Sequence, residues 1–411
     1  MRFENIEKRK FGFSNILPFI VIIDLFFLPY IRQLSCLPSM LILLVWYVFN
    51  FLKIKRDNEL YCIITTVVIS ALSLIFCYFF QPASVSSDWS SGNISPFSHS
   101  ITYTIIFLFT YAYFVYFKTI TPKELNTVEK ALFVALMGFF AFAVLYIISP
   151  SLFFEIRPFW TLSGRITEAT AEASGYYRFT GAFSDPNNAA AAGLALGIVI
   201  FENSKNQPLI RYISIFASII IVLATSSTAG IISLALYLLF KFILYLPKQK
   251  RVRLEGVIIG IIFVLVLVLM ILALFNTDVV QNAIERVSDN SGSADTRFSV
   301  WIRLLKNKGI FSYLIFGFGN AITIDGHAVS PHNGHLYLLY SYGFIVYLIF
   351  VYIFFKKRKQ MSWNDYLYII PLFICFTVNV GLIDARYTFF MASLVAYSQI
   401  KANVCLRWVD E

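Results

Sequence analysis

Nineteen consecutive residues, Val257–Phe275, carry no charged side chain, about the length a helix needs to cross the hydrocarbon core of a bilayer. Backbone amides in lipid must be satisfied within the segment, so a run of this kind folds as a helix. It is not isolated. The chain of 411 residues is 58% hydrophobic and only 14% charged, with a mean hydropathy of +0.73, well outside the composition of a soluble domain. Hydropathy predicts spans near residues 15–31, 37–52, 60–80, 99–117, 128–149, 187–202, 211–225, 229–246, 256–275, 332–355, 366–383 and 387–400. The expected fold class is therefore an all-α polytopic membrane protein of about 12 transmembrane helices, residues 1–411 forming a single integral membrane domain.

The net charge of +10 would suggest nucleic acid in a soluble protein. Here the basic residues fall in short connections between apolar runs, where they set orientation instead, and no nucleic-acid partner is expected. The clusters are Lys8, Arg9 and Lys10; Lys53, Lys55 and Arg56; Lys118 and Lys123; Lys248, Lys250, Arg251 and Arg253; Lys356 to Lys359; and Arg407. With twelve spans all of them fall on one side, which places both termini in the cytoplasm. The basic start followed by an apolar run has no small-residue cleavage site and is expected to be an uncleaved first span. Cys36, Cys62, Cys77, Cys375 and Cys405 lack metal-ligand spacing and are expected to pack.

Three loops then face outward, 81–98, 150–186 and 276–331, the last forming a large outer loop between spans 9 and 10. Within it Thr277 to Ser288 reads as an amphipathic turn, and Phe298, Trp301, Leu304 and Leu305 recur at helical spacing, as in a helix lying in the membrane interface.

The polar groups suited to chemistry concentrate in these loops. Arg178 lies in Tyr176–Asn188, which leads through Asp185-Pro186-Asn187 into a span of small residues. It either caps a helix or snorkels, or holds a phosphate, which a guanidinium binds bidentately while staying charged. Arg297 and Arg303 are a turn and a half apart, so Arg297 is the candidate anion ligand and Arg303 the interfacial one. His332 is expected as the first residue of a span, where a neutral imidazole either caps the helix or takes a hydroxyl proton near neutral pH, with Asn333 and His335 in support. Asp24 is an intramembrane acid that either serves a site or pairs with another helix, and an ion pair of Asp384 with Arg386 would be structural. Neither a metal-ligand pattern nor a nucleotide-binding glycine loop occurs, so no cofactor is expected.

Three segments then stand in order: Arg178-Phe179-Thr180-Gly181 with Pro186-Asn187; Thr296-Arg297-Phe298 through Trp301 with Phe316-Gly317-Phe318-Gly319; and His332-Asn333 with Leu336 and Gly343. Together, over residues 176–345, they resemble the O-antigen ligase and polymerase superfamily of bacterial envelope glycosyltransferases. The resemblance implies a C-type glycosyltransferase fold in the bacterial inner membrane and a metal-independent reaction at the periplasmic face. The donor would be a polyprenyl-pyrophosphate-linked oligosaccharide, its leaving group held by Arg178 and Arg297, with Asn187, Arg303, Asn333 and His335 lining the substrate and His332 activating the acceptor hydroxyl. Membrane lipid and, by family analogy, a chain-length regulator are the further partners. Many ligase-type members carry an arginine where this chain has Thr228, and the Arg-x10-Gly pattern of some polymerases is missing. The missing ligase arginine favours a polymerase over a ligase. A transporter of lipid-linked glycan is the reading from another class, disfavoured because the spans are nearly free of charge.

Overall fold

The computed structural model describes residues 13–31, 36–87, 90–160, 178–204, 206–245, 300–302, 304, 306, 316–317, 319, 322–324 and 327–407. The expected span 256–275, the amphipathic turn 277–288, Arg297 and Arg303 lie outside the described residues.

The described chain is mainly helical: α1 Phe13–Phe27, α2 Pro38–Asn50, α3 Asn58–Phe80, α4 Pro96–Lys118, α5 Pro122–Ile148, α6 Pro150–Ile156, α7 Pro186–Asn203, α8 Pro208–Thr225, α9 Thr228–Tyr245, α10 Gly334–Tyr342, α11 Phe344–Phe350, α12 Trp363–Tyr366, α13 Ile369–Val378 and α14 Ala385–Arg407. Proline opens α2, α4, α5, α6, α7 and α8, at the position where its missing N–H costs nothing and its fixed φ suits the first turn. Asp57 and Ser95 cap α3 and α4 by accepting from the backbone N–H of Leu60 and Ser98.

Four of these helices, α3, α4, α5 and α8, are long and apolar enough to cross a membrane, and shorter apolar helices accompany them. Each other expected span within the described residues also meets a helix. Helix α7 differs from the rest: it is rich in alanine and glycine and buried along nearly its whole length. Its small residues let α8 approach closely, so that the Ser218 hydroxyl donates to the Gly193 carbonyl at 3.0 Å and a Cβ on Gly197 would collide with Ser218. Phe139, Phe183 and Phe390 pack edge-to-face against Phe26 at 5.3–5.7 Å, tying α1, α5 and α14 into one core.

Basic clusters among the described residues meet at one end of this bundle. Lys118 pairs with Asp57 at 2.6 Å and with Glu59, and Arg358 reaches the same Glu59 at 2.6 Å, so three of the expected clusters share one end. The opposite end holds a feature that hydropathy did not suggest, a small sheet of β1 Val85–Ser87, β2 Ser90–Ile94, β3 Thr323–Ile324 and β4 His327–Ala328 in the order β2-β1-β4-β3. Parallel pairing of β1 with β4 joins the first outer loop to the end of the large one, and the Ser86 hydroxyl and His327 Nδ1 lie 2.6 Å apart. The strands are too short for an alternating pattern to register in the sequence.

Candidate functional site

At the sheet-bearing end, Arg178 is half-buried and held in a fixed pose: its Nε donates to the Thr225 carbonyl and its Nη2 to the Ser226 carbonyl, each at 3.1 Å. Those carbonyls close α8, whose orphan C=O groups need donors. Ser226 itself adopts a left-handed conformation with φ +46°, which turns its carbonyl out of the helical path. Gly181, three residues after Arg178, needs its φ of +55°, and a Cβ there would strike the Phe139 ring. The loop bearing Arg178 is therefore fixed both by its own backbone and by its partner helix.

Asn187 lies in the first turn of α7, where Asp185 caps the helix by accepting from the Asn187 N–H at 2.7 Å. The Asn187 side-chain oxygen accepts from the Ser227 hydroxyl at 2.7 Å, so the residue predicted as a substrate ligand locks the start of α7 to the same α8–α9 turn that holds Arg178. Its neighbour Asn188 is fully enclosed. The Asn188 carbonyl oxygen accepts from Asn379 Nδ2 at 3.1 Å and from Cys375 Sγ at 3.3 Å, while its amide donates to Asp384 at 3.1 Å.

Asp384 organises the junction further, accepting from the Ser184 N–H and hydroxyl, both at 2.8 Å, and from the Tyr387 N–H. The sequence expectation of an Asp384–Arg386 ion pair does not hold. Arg386 instead donates to the carbonyls of Asp24, Leu25 and Leu28 at the end of α1, because those C=O groups have no intrahelical partner. Asp24 accepts from the Ser39 N–H at 2.7 Å, which is the helix-pairing role.

The histidine junction is built differently from its prediction. Helix α10 starts at Gly334 and Asn333 is its N-cap, accepting from the Leu336 N–H at 3.0 Å. His332 therefore precedes the helix and its cap, rather than opening the span. It is exposed and sits in the left-handed region with φ +45°. The physical reason is the cap: a short amide side chain at Asn333 satisfies the first-turn N–H groups better than an imidazole one residue earlier. Ser226 and His332 are the non-glycine residues with positive φ among the described residues, and both lie at this end; such strain collects where surrounding structure fixes a site.

His335 faces away from the junction into an aromatic nest of Tyr347, Phe373 and Phe376, its ring nitrogens 3.3 Å from the Thr377 hydroxyl and 3.2 Å from the Tyr347 hydroxyl. Helix α13 then bridges the two constellations. It bonds Asn188 through Cys375 and Asn379, and packs Phe376 against Gly334, where a Cβ would come within 2.6 Å of the ring. A continuous set of contacts thus runs from Arg178 through Ser226, Ser227, Asn187, Asn188 and α13 to the residues beside His332.

The large loop reaches the same place. Trp301 Nε1 donates to the Pro331 carbonyl at 2.5 Å, directly before His332, and the Tyr340 hydroxyl donates to the Leu304 carbonyl at 2.7 Å. Gly317 and Gly319 both have positive φ; a Cβ on Gly317 would overlap the Ser341 backbone, and the Gly319 N–H donates to the Ser341 carbonyl at 2.9 Å. The glycine motif is therefore a docking motif for the end of α10.

Two residues matter here that sequence reasoning passed over or weighed differently. Arg157 follows α6 and is buried, its Nε and Nη2 groups have no hydrogen-bond partner among the described residues, and burial pulls its guanidinium down to about 10. A signal was available in its position four residues after Phe153, which stacks near Phe179 beside Arg178. Thr228, where ligase-type members carry arginine, begins α9 and is exposed beside the turn that accepts from Arg178.

The search of curated proteins gives no match. A family model described as O-antigen ligase matches residues 213–351, a stretch that takes in Thr228, Arg297, Arg303 and His332 but not Arg178 or Asn187, and this match supports the similarity to the O-antigen ligase/polymerase superfamily.

Proposed function

We propose that this protein is a polysaccharide polymerase of the O-antigen type, joining polyprenyl-pyrophosphate-linked oligosaccharide units at the periplasmic face of the bacterial inner membrane. The carrying observation is the bonded path from the Arg178 guanidinium to the residues flanking His332, at the end of the bundle opposite the basic clusters. Arg178 donates two N–H groups to the Thr225 and Ser226 carbonyls, which orient its guanidinium. That is the arrangement suited to an anionic leaving group. Arg297 is assigned the same role from the resemblance, and Arg157 adds a buried cation at the same end.

In this reading the acceptor hydroxyl oxygen attacks the anomeric carbon of the donor sugar, a new glycosidic C–O bond forms and the bond from that carbon to the pyrophosphate oxygen breaks. The hydroxyl proton passes to His332, and the polyprenyl pyrophosphate leaves with its charge held by the arginines. Direct attack inverts the anomeric centre. No metal ion takes part in this scheme. Asn333 and Asn187 position the junction through the cap and the Ser227 bond, and His335 supports α10 against α13.

The second reading is a ligase that moves finished polymer to a lipid A-core acceptor, favoured by the description of the matching family. Purified protein given lipid-linked repeat units with and without lipid A-core separates them. A product ladder without lipid A-core is expected; product only with lipid A-core would establish the ligase, and no product with either, from substrate shown to be active, would favour transport.

A further inference from the structure

At the basic end, α5, α7, α8 and α14 enclose a cavity of about 270 Å³ far from the site described above. Its wall changes character with depth. Asn126, Glu129 and Lys130 stand on one face of the first turns of α5, opposite Asn203 and Gln207 at the α7–α8 connection, and make a polar mouth. One turn deeper, Leu132, Phe133 and Ile210 make an apolar floor between α5 and α8.

The charges at the mouth do not cancel. Glu129 meets a cation of its own, its Oε1 accepting from Lys401 and, at 3.1 Å, from the Tyr397 hydroxyl. Lys130 makes no ion pair among the described residues. The mouth therefore presents one uncompensated ammonium together with side-chain amide N–H groups, a donor set for a phosphate rather than for an amine. A free phosphate would leave the apolar floor unused, whereas an amphiphile with its phosphate at the mouth and hydrocarbon along Phe133 and Ile210 matches both halves.

We propose that this cavity binds the phosphate headgroup of a membrane phospholipid, with the first part of its acyl chain on the apolar floor. Lys130 and the amides of Asn126, Asn203 and Gln207 hold the phosphate. The site is separate from the proposed glycosyl transfer, and its test does not depend on that activity.

The test uses the full chain, purified in mild detergent, with bound lipid counted by native mass spectrometry. Lys130→Gln is paired with a control, Lys123→Gln, an exposed lysine of the same helix that does not line the cavity. Wild type and the control are expected to retain one phosphatidylglycerol, and Lys130→Gln to lose occupancy roughly tenfold, the worth of one charge-assisted hydrogen bond. Ile210→Phe, which narrows the floor, is expected to lower retention of lipid without affecting any binding of inorganic phosphate. Equal retention by wild type and Lys130→Gln would overturn the proposal, as would displacement of the lipid by millimolar inorganic phosphate, which would identify a free-phosphate site instead.

Discussion

The two ends of the bundle hold their charged residues by different chemistry. At the basic end cations meet carboxylates: Lys118 with Asp57 and Glu59, Arg358 with Glu59, Lys241 with Glu202, and Lys401 with Glu129. At the sheet-bearing end Arg178 and Arg386 each donate to backbone carbonyls, and Arg157 has two N–H groups with no partner among the described residues. An ion pair neutralises its members, while a carbonyl orients a guanidinium and leaves its charge in place. The first arrangement ties helices together; the second aims a guanidinium by means of neutral acceptors.

Sharp breaks of this contrast come from the sheet-bearing end. Arg178→Ala and His332→Ala are each expected to cut polymer formation by about 10²–10³-fold, measured as product ladders from lipid-linked units, while thermal unfolding in detergent moves little for the exposed His332. Ladders of wild-type length and yield from both variants would end the catalytic reading. Asp384→Asn weakens acceptance from Ser184 and Asn188, and an activity loss of roughly 10-fold together with destabilisation of about 1–3 kcal/mol is expected. Restoring the carboxylate with Asp384→Glu should recover part of both.

At the basic end the order reverses, with stability affected and activity spared. Glu202→Gln breaks the Lys241 pair and should lower stability by about 1–3 kcal/mol in a thermal shift assay with turnover retained. A proportionate loss of turnover would mean that the two ends are coupled. Thr228→Arg sharpens the comparison from the other side, since it adds a cation beside the Arg178 turn; a gain of transfer to lipid A-core would show that this one position separates ligase from polymerase.

The smallest effect is a pH dependence. Burial opposes ionisation of Asp57, but Lys118 and the Leu60 N–H outweigh it and hold the carboxyl below its ordinary 3.8. A folded-state value below the unfolded one stabilises the protein fully above 3.8 and the benefit is lost as pH falls through the folded value. Asp57→Asn should therefore lower the neutral plateau of a stability profile, leave its acid limit nearly unchanged, and so flatten the fall between them.

Much of the architecture was legible because lipid demands it. Helices among the described residues fall where hydropathy expects spans, and the start of α7 followed from Asp185 and Pro186, whose effects act locally. The site was legible in part. Arg178 stood out by its charge in an outer loop, but its fixing by Thr225 and Ser226, 47 and 48 residues away, is invisible to any local pattern. His332 was expected to open its helix and instead lies two residues before the first helical residue, Gly334, because the competing cap, Asn333, decides where α10 begins. Asn187 and His335 were picked as ligands; the bonds seen for them serve α7, α10 and α13. The strand pairs of residues 85–94 with 323–328 escaped because each strand is only two to five residues long.

By itself the sequence determined that the chain folds into membrane helices with basic residues gathered at one end, since burying unpaired backbone or charge in hydrocarbon is costly enough to act residue by residue. Only the tertiary structure decided which polar groups meet. Whether Asp384 pairs with Arg386 or with Ser184 and Asn188 depends on where α1, α7 and α14 come to rest. Hydrogen bonds reach about 3 Å and are set by side chains that packing brings together across hundreds of residues, a distance over which periodicity and spacing carry no information.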